Sequence, residues 1–390
     1  MRKVLLLLPF VAMAMASCSD SSELASNDRA LNADELRFRT MMGNNTRAVS
    51  TNLAALQTDG FKVIISGDAI TTDPNTTSSS PAASHFNGET SVSWNGSAWA
   101  LASALYWDKG NGNTATFLAY NNIYGGGTSY SVPADIDTQR DLVMAYNTGT
   151  RAANAAAGIA LNFKHLLSQI QIKASNNAAD IKKIEVIGVK LSNVPVTSTL
   201  TLPTTNDFVP AWSAPEAASA KTMGAFRATS DASAAVTLTA APQDVMFGHN
   251  FFMVLPQTLA AADLSNPATT GFYISLLVRI TRVADGSAIY PDNNTKYAYT
   301  SVALPADWEA GKRYVYTLNF YTTDSGAGQI DPNPDDNGEG DTPTGGDDSN
   351  TDDTPGEPGA ATDDTDVLPL AFTVTVDDWT EVPSSQTVGD

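Results

Sequence analysis

Leu368-Pro369-Leu370-Ala371-Phe372-Thr373-Val374-Thr375-Val376-Asp377-Asp378-Trp379 places Leu368, Leu370, Phe372, Val374 and Val376 on one face of an extended segment, with Trp379 closing the run. Apolar residues at every second position are the mark of a β-strand, because successive side chains of a strand point to opposite faces. Residues 368–376 would cover roughly 30 Å as a strand. A strand with a fully apolar face is not stable alone in water, so this one must join a sheet, either of its own chain or of a neighbour's. With abundant Thr, Ser, Asn, Ala and Gly and few long helical periodicities elsewhere, the chain suits an all-β protein.

Upstream lies a segment of opposite character. Residues 322–366 contain fourteen Asp and Glu and no Lys or Arg, among Gly, Pro and Thr. Such a stretch cannot bury enough apolar surface to fold by itself, and it reads as an acidic disordered linker. A coil of this length has a root-mean-square reach of roughly 35–40 Å, extended further by like-charge repulsion. The terminal strand can therefore serve its own chain or another. Asn333, Asp335, Asn337 and Gly338 begin like a calcium loop, but Thr344 stands where the bidentate Glu belongs, so a solvated spacer is the expectation. The net charge of −20 argues against a nucleic-acid partner, and much of it belongs to this linker.

The rest of the chain is made of short apolar runs separated by turn signals. Phe61–Ile65, Thr116–Tyr120 and Asp141–Tyr146 read as strands in a first half, and Ile159–Lys173 as a strand, a short turn and a second strand. Ile184–Val189, Asn250–Leu255, Phe272–Ile280 and Tyr314–Phe320 read as strands in a second half, two of them nearly continuously apolar and so buried on both faces. No helical crossovers of the kind a parallel α/β sheet needs are evident. Two tandem β-sandwiches are expected, at residues 48–175 and 176–321.

At the other end, Arg2 and Lys3 precede an apolar run from Val4 to Ala16, too short for a lasting transmembrane helix. It leads to Met15-Ala16-Ser17-Cys18, which is similar to a bacterial lipobox, with residues 1–17 as signal peptide and Cys18 as the acylated residue. Cys18 is the chain's one cysteine and has no thiol to pair with. An ordinary signal peptide followed by a stray cysteine is the other reading. Beyond a polar spacer, Leu36, Phe38 and Met42 share one face of a further strand, ended by Gly43-Asn44-Asn45.

No catalytic chemistry is marked. His85, His165 and His249 are scattered and form no metal-binding pair, and His165 reads as a satisfied core residue. Phosphate-binding loops, nucleophile elbows and paired cysteines are missing from the sequence. Trp94, Trp99 and Trp107 read as core and rim residues before they read as a sugar-stacking platform. No enzyme activity, cofactor or metal is expected.

Several segments resemble the fimbrillin family of Bacteroidetes, the type V fimbrial subunits. Leu36-Arg37-Phe38 through Thr46-Arg47-Ala48 resembles that family's N-terminal strand and Thr-Arg-Ala signature. Tyr106-Trp107 with Thr116-Phe117-Leu118-Ala119-Tyr120, then Phe163-Lys164-His165-Leu166-Leu167-Ser168-Gln169-Ile170, Pro256-Gln257, Trp308 to Tyr316, and Phe372 to Trp379 follow in the family's order. The resemblance implies two transthyretin-like β-sandwiches and export as a lipoprotein precursor to the outer membrane, held there by its lipid. It also implies cleavage by an arginine-specific protease and polymerisation with other fimbrial subunits. On it, the cut falls between Arg47 and Ala48, residues 18–47 are the lipidated propeptide, and Leu36, Phe38 and Met42 belong to the displaced strand. Residues 367–390 then hold the donor strand, carried by Leu368, Leu370, Phe372, Val374, Val376 and Trp379, which fills the vacated groove by strand addition. The dipeptide Arg-Ala occurs at Arg29, Arg47, Arg151 and Arg227, so the cut is placed by its strand and loop context and not by the dipeptide. The alternative function is a non-polymerising, surface-anchored lipoprotein binding a host glycan or protein receptor.

Overall fold

A computed structural model of the 390-residue chain describes residues 34–42, 54–77, 85–330 (apart from 111, 123, 126, 228–234, 267–269, 292 and 324) and 370–378. The protein is all-β. The expectations at Cys18, Arg47, Ala48, Leu368 and Trp379, and most of the acidic linker, lie outside the described residues.

The first half is a seven-stranded sheet. Its strands are β1 (Phe38–Met42), β2 (Phe61–Ser66), β3 (Gly88–Trp94), β4 (Trp99–Leu101), β5 (Thr114–Asn121), β6 (Val143–Thr150) and β7 (Ile159–His165), in the order β1-β7-β6-β5-β2-β3-β4. Alternation decides which face is buried. Ile159, Leu161 and Phe163 of β7 and Phe61, Val63 and Ile65 of β2 point inward, with the residues between them more exposed. All six join one core with Phe117, Trp107 and Leu36. The sheet curls strongly. Its edge strands meet where the Trp99 indole N–H of β4 donates to Thr40 Oγ1 of β1, 2.8 Å away.

The chain turns a corner at Leu166-Leu167, both fully buried, and leaves that sheet. The second half begins with β8 (Ser168–Asn176), followed by β9 (Lys182–Pro195), β10 (Ala220–Phe226), β11 (Phe252–Val254), β12 (Tyr273–Arg282), β13 (Ala298–Ala303), β14 (Lys312–Phe320), β15 (Gln329–Ile330) and β16 (Ala371–Asp378). One sheet joins β8, β14 and β16, with Gln243–Asp244 and β11 also on β8. The facing sheet runs β10-β9-β12-β13-β15. Ile170 and Ile172 from one layer and Val186, Leu191, Leu276 and Val278 from the other share a single large core. Phe272 packs at 5.1 Å against Trp308, whose indole N–H donates to Tyr316 Oη at 2.9 Å. Burial pushes the Tyr316 phenol up to about 12.

Two boundaries differ from expectation. β8 pairs in parallel with β14 from Gln169↔Arg313 to Asn176↔Phe320, so the passage between halves falls at Leu166-Leu167, ahead of residues 175–176. The sequence pattern separates β7 from β8 but carries no sign that they belong to different sheets, because a strand's period says nothing of its partners. The linker, expected from residue 322, begins later: Thr300↔Ile330 and Ser301↔Gln329 pair β15 with β13, and Ala327 is buried.

Candidate strand-exchange site

Among the described residues β1 lies at one edge of the first sheet and pairs with β7 alone, in parallel, from Phe38↔Ile159 to Met42↔Phe163. Leu36 and Phe38 are 4 % and 6 % exposed. The Phe38 ring meets Phe61 at 6.1 Å and Phe117 at 5.9 Å, both edge-on. Met42 is half-buried and packs on the same core. The remaining position of that face is Thr40, whose hydroxyl accepts from Trp99. The three apolar residues assigned to the displaced strand are thus brought together, with Thr40 as a polar member between them.

The approach to β1 is latched by polar contacts. Arg151 Nε donates to Asp34 Oδ1 at 2.7 Å, and Lys109 Nζ lies 3.9 Å from Asp34 Oδ2. Leu36 N–H donates to Leu105 O and Trp107 N–H to Asp34 O, each at 2.8 Å. Gly158, with φ +73°, turns the chain so that Ile159 N–H reaches Arg37 O at 2.8 Å. A Cβ there would sit 3.2 Å from that same oxygen, so both conformation and space favour glycine. Sequence reasoning missed Asp34, Arg151 and Trp99 as partners of β1. Arg151 lies 117 residues from Asp34, and no local pattern links them.

The latch also bears on proteolysis. Arg151 opens the short helix Arg151–Asn154 and is held by Asp34, while Arg227 N–H donates to Ile187 O at 3.0 Å. Asp34→Asn should cost about 1 kcal/mol of stability, since Arg151 is partly exposed and the pair is screened. The same change should speed tryptic cleavage after Arg151, read as a new N-terminus at Ala152. An unchanged rate would show that the ion pair does not protect that bond.

The C-terminal segment forms β16, antiparallel to β14 of its own chain, from Lys312↔Asp378 to Asn319↔Ala371. Its partners Tyr314, Tyr316 and Leu318 are buried, and directly paired residues share a face. Yet Phe372, Val374 and Val376, paired with those three, remain 39 %, 38 % and 53 % exposed. Only Leu370, at the start of the strand, enters the core.

The histidines are engaged structurally: His165 Nδ1 lies 2.6 Å from Asp141 Oδ2, His85 Nε2 3.0 Å from Asp108 Oδ2, and His249 Nδ1 3.5 Å from Asp137 Oδ1. Trp107 is core, and Trp94 meets Trp99 edge-on at 5.3 Å across the β3–β4 hairpin. These two rings are tilted 64° to each other and make no flat platform.

A family model described as fimbrillin-like matches residues 46–332. The chain belongs to the fimbrillin-like family. Among solved structures, this fimbrillin-like chain is similar to a candidate cell adhesion protein of Bacteroides uniformis, at 13 % identity, TM-score 0.37 and coverage of 89 % of this chain and 98 % of that one. A candidate cell adhesion protein of Parabacteroides distasonis matches at 10 % identity and TM-score 0.41, over 90 % and 98 % of the two chains. A fimbrial assembly protein of the same species matches at 8 % identity and TM-score 0.35, over 74 % and 92 %. No curated protein matches the chain.

Proposed function

We propose that this chain is a structural subunit of cell-surface fimbriae. It is exported as a lipoprotein through Cys18, cut between Arg47 and Ala48, and polymerised when the C-terminal strand of one copy takes the place of β1 in the next. The observation that carries this reading is the likeness of the two strands. Leu36-Arg37-Phe38-Arg39-Thr40-Met41-Met42 and Leu370-Ala371-Phe372-Thr373-Val374-Thr375-Val376 share the spacing Leu-x-Phe followed by two further same-face positions. In that register Leu370 takes the Leu36 position, Phe372 the space between Phe61 and Phe117, Val374 the Thr40 position and Val376 the Met42 position. Removal of β1 would leave the backbone edge of β7 unpaired beside an apolar gap, an arrangement that favours strand addition.

The pairing of β16 with β14 in its own chain favours the second reading, an anchored glycan- or host-binding lipoprotein that keeps β1. Limited trypsin digestion of the chain lacking its signal, followed by N-terminal sequencing and native mass spectrometry, separates the two. Assembly requires a new N-terminus at Ala48 and a ladder of oligomers, lost on deletion of residues 367–390. A chain that stays whole at Arg47, or stays monomeric after the cut, is the anchored binder.

A further inference from the structure

The sheet that holds β8, β14 and β16 ends at β16, and among the described residues no strand lies along its outer edge. A strand edge offers a row of backbone N–H and C=O groups to any chain that can pair with it, and proteins guard such edges by keeping them short, bulged or charged with lysine. The other edges here are guarded. β1 is bridged to β4 through Thr40 and Trp99, β4 has three residues, and Gln243–Asp244 and β15 have two each. β10 carries Lys221 and meets β9 across a register shift between Leu191 and Val194. β16 has none of these protections. It runs eight residues, Ala371–Asp378, in unbroken register with β14, and holds no Lys, Arg or Pro. From Phe372 to Asp377 every side chain is exposed, on both faces of the strand.

We infer that this edge docks β16 of a second copy of the chain, antiparallel and centred on Val374. Two identical strands related by a twofold axis at Val374 set Phe372 opposite Val376 and Thr373 opposite Thr375. Directly opposed residues share a face, so the apolar row Phe372, Val374 and Val376 of one copy runs on into that of the other. Aromatic with β-branched and threonine with threonine are both pairings that stabilise neighbouring strands. A slip of one residue sets each apolar row beside the threonines of its mate, on opposite faces, and so the alternation selects this parity. Charge agrees with it. Asp377 and Asp378 of the two copies fall at opposite ends of the paired strands, roughly 20 Å apart, beyond the Debye length of about 8 Å in physiological salt. Within each copy they stand opposite Arg313 and Lys312 of β14. Moving the axis toward the C-terminus shortens the pairing and brings the four carboxylates together, which disfavours that register.

The uncut chain from Ser19 onward, which contains no cysteine, tests this by analytical ultracentrifugation. A dimer that forms with rising concentration is expected. Thr373→Lys with Thr375→Lys sets like charges opposite each other across the twofold axis and should raise the dissociation constant by roughly tenfold or more. Thr373→Lys with Thr375→Glu sets lysine opposite glutamate and should bring it back toward the wild-type value. Both positions are exposed, so the dilute monomers of the two variants should unfold at the same temperature, which separates pairing from folding. On mild oxidation Val374→Cys should form an intermolecular disulfide faster than Val376→Cys, whose mate is residue 372. A chain that stays monomeric at millimolar concentration, a lysine pair that leaves the dimer intact, a glutamate that does not restore it, or equal rates for the two cysteines would overturn the assignment. The propeptide is still attached in every one of these chains, so the result is independent of cleavage at Arg47 and of strand exchange after it.

Discussion

Phe38→Ala should destabilise the uncut chain by about 3–4 kcal/mol, the range for emptying a buried phenylalanine site. The ring fills the space between Phe61 and Phe117, and β1 is held on one side only, by β7. The edge position lets the site relax somewhat, which keeps the figure below the largest core truncations. Met41→Ala on the same strand is the control: that side chain is exposed and its loss should stay within about 0.5 kcal/mol. Denaturant unfolding followed by tryptophan fluorescence reads both, since Trp99 sits beside β1 through its bond to Thr40. The stronger form of the prediction concerns the processed protein. If β1 departs with the propeptide, Phe38 is no longer in the molecule, and polymers grown from wild-type and Phe38→Ala precursors should be equally stable. A difference that persists after the cut would mean β1 stays in place. A loss below about 1 kcal/mol in the uncut chain would mean β1 does not close the sheet.

The strands were legible where one face is buried and the other is not. Ile159 to His165 and Tyr314 to Phe320 alternate cleanly, and both were read as strands from period alone. The same local signal carries no information about partners. Nothing in Ser168–Asn176 announces a parallel neighbour far along the chain at Lys312–Phe320. Leu36 and Phe38 were legible as inward-facing residues, but the latch around them was not, because Asp34, Arg151 and Trp99 meet only in the folded chain. The burial of Lys190 was invisible for a related reason. The sequence reads as a strand over Ile184–Val189, and Lys190 joins it through the register with Gly224 and Ser275. The C-terminal strand is the instructive middle case. Its apolar face does enter a sheet, as the physics of lone strands required, but the sheet leaves that face half open.

That openness makes the double variant Phe372→Ser with Val374→Ser the sharper test of strand exchange. In the monomer Phe372 and Val374 are 39 % and 38 % exposed, so most of each is already buried and their joint loss should lower monomer stability by about 2–4 kcal/mol. In a groove shaped for Leu36, Phe38 and Met42 the same side chains would be fully enclosed, and each would contribute about 1.5–3 kcal/mol of transfer free energy. Insertion gains only the part still exposed in the monomer, about 1–2 kcal/mol for the pair, so the variant should weaken strand insertion by roughly tenfold, at about 1.4 kcal/mol per factor of ten. At limiting protein concentration the trypsin-cut variant should give shorter ladders than the wild type by native mass spectrometry, and its monomer should unfold at lower denaturant. Leu370→Ala separates the two effects from the other direction. Leu370 is in the monomer's own core, so that change should lower monomer stability by about 2 kcal/mol or more as well as assembly. Ladders unaffected by the double variant would remove residues 370–376 as the donor. Ladders and monomer lost together would mean that β16 is held in its own sheet by more than its exposure implies, and that the strand stays where it is paired, on β14.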